Sequence, residues 1–261
     1  MMRRSARTAV LLAAALATAL PASAQKAGGV LNAITFDIPA SFSILEEPSS
    51  ATTFAMLPCY NNLIFYNPAR AEESGEDVSG ELAEHWAWSD GGKRLTFRLR
   101  KGVTWHDGKA FTAADVKYTY NLVRGVGERK LRLNPRKQWL ENVADISTQG
   151  DWEVTFVLKR PQPSLVSMLA SGFMPVYPAH VEPAELRTHV VGTGPFRLKE
   201  YVRERQIVLE RNPAYFVRGR PYLDGVVYHI LGSRAARQAA LQADQVDVYS
   251  PIEGTSTYRD P

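Results

Sequence analysis

Cysteine and histidine are scarce in this 261-residue chain, which has one Cys and five His. A lone Cys59 excludes a disulfide framework, and so few scattered Cys and His residues do not make a zinc finger. Set among Leu57, Pro58 and Tyr60, Cys59 reads as a small buried apolar side chain. Several catalytic patterns are missing as well. No Ser or Cys stands in a nucleophile-elbow context, no H-E-x-x-H occurs, and no carboxylate pair stands in a motif suited to acid–base work. An enzyme is therefore not expected. Excess charge is missing too. The formal net charge is +4, but removing Arg3, Arg4 and Arg7 leaves 28 basic against 27 acidic residues. A near-neutral body does not present the basic patch that nucleic acid requires, so no nucleic-acid partner is expected.

What is present begins with a leader. Residues 1–24 have a basic start, an apolar run from Ala9 to Leu20, and Ala22-Ser23-Ala24 as an A-x-A cleavage site, together a secretory signal peptide. The run of about 12 residues is short of the ~20 that span a bilayer. No Cys directly follows the cleavage site, so a lipid anchor is not expected, and the mature chain should begin near Gln25 in the periplasm.

The most ordered stretch runs from Leu82 to Val123. Trp86 and Trp88 alternate with polar or small neighbours, as do Leu95, Phe97 and Leu99 with Thr96, Arg98 and Arg100. Asp90-Gly91-Gly92 between them is a turn that tolerates positive φ, which predicts a hairpin with one apolar and one basic face. A second turn at His106-Asp107-Gly108 follows. Thr112 and Asp115 then form a capping-box start for a helix whose Val116, Tyr120 and Val123 share one face.

Around this block the chain alternates strands, loops and short helices. Gly29–Phe36 reads as a strand and Asp37–Ser50 as a solvated, Pro- and Ser-rich loop. Thr52–Leu63 reads as a helix with Phe54, Leu57 and Tyr60 on one face, and residues 63–66 as a short strand. Arg124–Lys137 is a basic segment without interleaved aromatics, read as a solvated loop. Alternation predicts strands near 152–158, from Phe196, and over 207–211; Leu165–Leu169 begins a short helix, and Ser233 caps another through Leu241. Gly192-Thr193-Gly194 is not a phosphate loop, because Pro195 removes a donor and a strand follows. The two glycines are expected to permit a tight crossing.

The run LAEHWAWSDGGKRLTFRLRKGVTWHDGKAFTAADV, residues 82–116, resembles the signature of the family 5 extracytoplasmic solute-binding proteins, the dipeptide and oligopeptide receptors of ABC importers. The GTGPF run at 192–196 and Pro221-Tyr222-Leu223-Asp224 extend the likeness. Asn61 and Asn62 replace an acid and a Gly of the family pattern, and Asp244 replaces a Gly. The resemblance implies an α/β class with mixed sheets: the N-terminal lobe of a two-lobed, type II periplasmic binding protein fold, with an inserted α/β subdomain. Residues 25–50 and 175–261 would form the first-lobe sheet domain, incomplete here, and 51–174 the insertion. Such proteins are about twice as long, so the second lobe is expected to be missing from this sequence.

The implied function is capture of a small peptide or similar solute for delivery to inner-membrane ABC permease subunits, by a monomer without cofactor or metal. Candidate ligand contacts are Glu46, Glu47 and Pro48 in the first loop, and Tyr249 and Ser250 at the crossover toward the second lobe. The alternatives are a truncated, non-binding remnant of such a receptor, an incomplete sequence, or a secreted hydrolase. His106-Asp107 reads as a turn rather than half of a dyad. His180, Glu182, Glu185 and His189 do not read as a metal site, because Pro183 interrupts their face.

Overall fold

The computed structural model describes residues 26–35, 37–70, 74 and 77–248. The predicted leader, Tyr249 and Ser250 lie outside them. In chain order the elements are β1 (Val30–Thr35), α1 (Ser50–Met56), β2 (Ile64–Tyr66), β3 (Val78–Gly80), β4 (Ala83–Ser89), β5 (Arg94–Leu99) and α2 (Ala113–Arg124). Then come β6 (Val143–Gln149), β7 (Glu153–Leu158), α3 (Leu165–Ala170), β8 (Phe196–Val202), β9 (Gln206–Arg211), β10 (Gly225–Ile230) and α4 (Arg234–Gln242). They form a mixed α/β fold.

One four-stranded sheet has the order β1-β10-β9-β8, with β1 parallel to β10 and the other pairs antiparallel. A second, fully antiparallel sheet has the order β4-β5-β7-β6, and β2 pairs with β3 in a small ribbon. The predicted hairpin is β4-β5, with Trp86 opposite Phe97 and Trp88 opposite Leu95. Leu95, Phe97 and Leu99 are buried while Arg98 is exposed, as their alternation demands. Asp90, Gly91 and Gly92 all take positive φ in the turn.

The helix α2 opens on the predicted capping box. Thr112 Oγ1 accepts from the Ala114 N–H at 3.3 Å, and Asp115 Oδ2 accepts from the Thr112 N–H at 2.9 Å. Gly125 closes the helix in the left-handed region at φ 74°. Val116, Tyr120 and Val123 are buried against β6 and β7. A single apolar cluster runs through both large sheets, from Ala33 on β1 through Phe97 and Phe156 to Val226 and Tyr228.

The fold departs from the local reading in four places. The expected helix to Leu63 ends at Met56 and tightens to a 3₁₀ turn at Leu57–Cys59, where Pro58 supplies no N–H. Its buried residues are Ala51, Thr52, Thr53, Ala55 and Met56, with Phe54 and Leu57 only half-buried. The run from Met174 to His180, whose counterpart in the resembling family leads into a helix, is followed only by a short 3₁₀ turn at Glu185–Arg187. β6 is a full strand whose pattern is faint because only Val143 and Ile146 are buried. Asp37–Ser50 is not a solvated loop, since residues 41–47 are all buried.

Candidate functional site

The loop after β1 is bolted into the lobe by arginines distant in sequence. Glu46 has no exposed surface and accepts two hydrogen bonds from Arg187, Nε to Oε2 at 2.7 Å and Nη2 to Oε1 at 2.9 Å. A third comes from the Arg132 N–H at 2.6 Å. Such forked, charge-assisted pairing is roughly twice as strong per bond as a neutral one and fixes geometry as well. Glu47, also buried, accepts from Ser41 Oγ at 2.9 Å and from Arg132 Nη2 at 3.4 Å.

From beneath, Arg136 donates to the carbonyls of Ile44 and Glu47 at 3.0 and 2.7 Å, with its guanidinium 4.3 Å from the Phe173 ring centroid. Tyr177 Oη accepts from the Leu45 N–H at 3.2 Å. This loop therefore has a set shape. Its exposed parts are Asp37, Ala40 and the run Pro48–Ser50. Between its outer limb and β8 lies an open groove of about 820 Å³, lined by Ile38, Phe42, Arg187, His189, Leu198 and Tyr201.

Two candidate contacts thus fall elsewhere than the local reading put them. Glu46 and Glu47 are interior carboxylates with arginine partners, not side chains at the surface of a solvated loop. Pro48 is exposed beside α1. The residues that set the loop, Arg187, Arg132 and Arg136, were invisible as a group. Arg136, expected in a solvated basic segment, is 4% exposed. A basic residue near a bulky aromatic is too common to signal such a role locally.

The second structured feature is the crossing at Gly192–Gly194, which runs over the 3₁₀ turn. A Cβ at either glycine would overlap backbone atoms of Cys59, so only glycine fits. Gly194 N–H donates to the Cys59 carbonyl at 3.0 Å. Thr193 Oγ1 donates to Asn61 Oδ1 at 3.1 Å, and Asn61 Nδ2 donates to Glu81 Oε1 at 2.9 Å. Glu81 Oε2 accepts from the Asn62 N–H at 2.7 Å. Burial pushes the Glu81 carboxyl up to about 7, against the pull of those two donors.

From the turn before α2, the His106 N–H donates to the Gly192 carbonyl at 2.8 Å. The His106 ring meets Gly192 N at 3.3 Å through Nδ1 and the Gly194 carbonyl at 3.2 Å through Nε2. Burial holds this imidazole down at about 4. Asp107 turns away from it to His180 Nε2 at 2.7 Å. Among the described residues no three His, Cys, Asp or Glu side chains gather as a metal site would require, and none of their helices is long and apolar enough to cross a membrane.

Residues 77–259 match the family model of the bacterial extracellular solute-binding proteins, family 5 Middle. The chain is 30% identical over 233 residues to the oligopeptide-binding protein AppA of Bacillus subtilis (strain 168), covering 85% of this chain and 41% of that protein. It is 28% identical over 223 residues to the dipeptide-binding protein of Escherichia coli (strain K12), covering 77% and 41%. Among solved structures it is similar to AppA from Bacillus subtilis in complex with a nonapeptide, with TM-score 0.74, 31% identity, and 86% and 44% coverage. It is also similar to the dipeptide binding protein from Pseudoalteromonas sp. SM9913 in complex with Met-Leu, with TM-score 0.74, 25% identity, and 85% and 47% coverage. The chain spans about half the length of the curated relatives it matches. On the match over 77–259 and the shared fold, the chain belongs to the family 5 bacterial extracellular solute-binding proteins.

Proposed function

We propose that this chain supplies the first lobe of a periplasmic receptor that captures a small peptide or similar solute and passes it to inner-membrane ABC permease subunits. The observation that carries this reading is the likeness to AppA, 31% identical with TM-score 0.74, which was solved holding a nonapeptide. In this reading residues 25–50 and 175–261 are the first-lobe sheet domain and 51–174 its insertion. β1 and β8–β10 fall in the former and β2–β7 in the latter.

The first loop then acts as a preformed ledge at the ligand cleft. Its exposed backbone near Asp37, Ala40 and Pro48 meets a peptide main chain by strand-like hydrogen bonding, which is insensitive to side chains. Glu46 and Glu47 serve the site from inside, by holding the ledge in one shape. Tyr249 and Ser250, at the crossover, complete the proposed contacts. A second lobe closing over the ledge would exclude water and add contacts from the other side. The protein works without a catalytic step and as a monomer.

Calorimetric titration with di- to pentapeptides tests the reading. Saturable binding that varies little with side-chain identity is expected. A flat titration against peptides, with binding of an opine-like compound or a metal chelate instead, would move the solute class. No binding of any of them would make the chain a non-binding remnant of such a receptor and overturn its role in capture.

A further inference from the structure

One ring holds both glycines of the crossing, and it does so only in one protonation state. His106 Nδ1 faces the Gly192 N–H at 3.3 Å, so it must carry a lone pair. The proton therefore resides on Nε2, which donates to the Gly194 carbonyl at 3.2 Å. Thr193 between them is 1% exposed, and the crossing lies against the Cys59–Tyr60 backbone with no room for a side chain. His106 belongs to the turn between β5 and α2, in the antiparallel sheet's half of the chain, whereas Pro195 leads directly into β8 of the other sheet. The ring thus spans the joint between the two sheets.

We infer that His106 is an acid-labile latch on this joint: its neutral ring clasps Gly192 and Gly194 together, and protonation at Nδ1 turns the acceptor into a donor and frees the Gly192 N–H, while the Gly192 carbonyl keeps the His106 backbone N–H.

The charged groups acting on the ring are few. Asp107, its neighbour in the turn, favours the protonated ring, and Arg197 on β8 opposes it. Asp107 is itself paired with His180 at 2.7 Å and approached by Lys109 Nζ at 3.9 Å, which draws part of its charge away from His106. The Cys59–Tyr60 segment brings no charge, since burial pushes both the thiol and the phenol up. Arg197 is held on Asn212 Oδ1 at 3.1 and 2.8 Å, and Asn212 Nδ2 also donates to the Gly194 carbonyl at 2.9 Å. That carbonyl keeps a second donor when the ring lets go, so opening is expected at the Gly192 N–H before Gly194.

The test is a histidine-selective NMR titration of the full chain, combined with amide exchange at Gly192 and Gly194. His106 is expected in the Nε2–H tautomer, titrating well below free histidine. The opening equilibrium at Gly192, corrected for intrinsic exchange, should grow about tenfold for each pH unit between the free and the held pKa. His106→Asn places an untitratable oxygen where Nδ1 stood, and should lose that acid dependence. His180→Asn should keep it. An Nδ1–H tautomer, a ring titrating near 6.5, or acid dependence that survives His106→Asn or vanishes with His180→Asn would overturn the latch. If His106→Asn does not fold, the tautomer and titration of the wild-type ring decide alone.

Discussion

Arg187 shows how much a single side chain carries. Its partner Glu46 has no exposed surface, while Arg187 itself is 27% exposed. Arg187→Ala leaves a buried carboxylate with the Arg132 N–H as its remaining donor, and such orphaned charges cost about 3–5 kcal/mol. Urea melts should show a loss of that order, and adding Glu46→Gln should return part of it. A loss under about 1 kcal/mol, the scale of an exposed pair, would mean that the loop does not depend on this contact.

Glu81 makes a prediction of opposite sign to that of His106. Its folded pKa is raised from 4.5 to about 7 by burial. A carboxyl so shifted contributes stability that is complete below the unfolded value and lost as pH rises through the folded one. Glu81→Gln should therefore flatten a decline in stability between about pH 4.5 and 7, read by chemical denaturation across that range. Superimposable pH profiles for the two proteins would contradict the burial argument. Neither role was legible in the sequence. The Glu46–Arg187 pair joins positions 141 apart, and nothing in the local run around Glu81 announces that Asn61 and Asn62 will meet it.

At the scale of elements, legibility followed the range of the signal. The β4-β5 hairpin, the α2 cap and the Gly192–Gly194 crossing are written in short, self-contained patterns: period two, Thr-x-x-Asp, and paired glycines before a proline. β6 was not, because most of its residues face solvent and its partner β7 determines it. α1 is shorter than its apolar pattern suggests, because Pro58 supplies no N–H and the α-helix stops at Met56 ahead of it.

The caps can be graded. Thr112→Ala removes one acceptor and should cost about 1 kcal/mol. Asp115→Ala should cost more, since Asp115 also accepts from the Ala179 N–H at 2.8 Å and from Trp105 Nε1 at 3.4 Å while only 5% exposed. Thermal melts of the two variants give the order; equal losses would show that the Ala179 and Trp105 contacts contribute nothing. Gly194→Ala places a methyl group into the backbone of Pro58–Tyr60 and should abolish soluble folded protein.

For the whole molecule, one apolar cluster joins the two large sheets. All five tryptophans, Trp86, Trp88, Trp105, Trp139 and Trp152, lie within the half that carries β4–β7, so fluorescence reports on that half alone. Amide exchange in β8–β10 reports on the other. Coincident urea midpoints for the two signals are expected of one cooperative body. Separated midpoints would make the sheets independent units.

The parallel pairing of β1 with β10 carries a temporal implication. Val30 finds Gly225, and Asp224 Oδ2 receives the Gly29 N–H across 195 residues. A ribosome releasing this polypeptide exposes its earliest strand long before the matching edge exists. Contacts of such separation make folding slow, so the newborn chain spends its synthesis with an unsatisfied ladder at its front, open to chaperones and to threading machinery that needs an extended substrate.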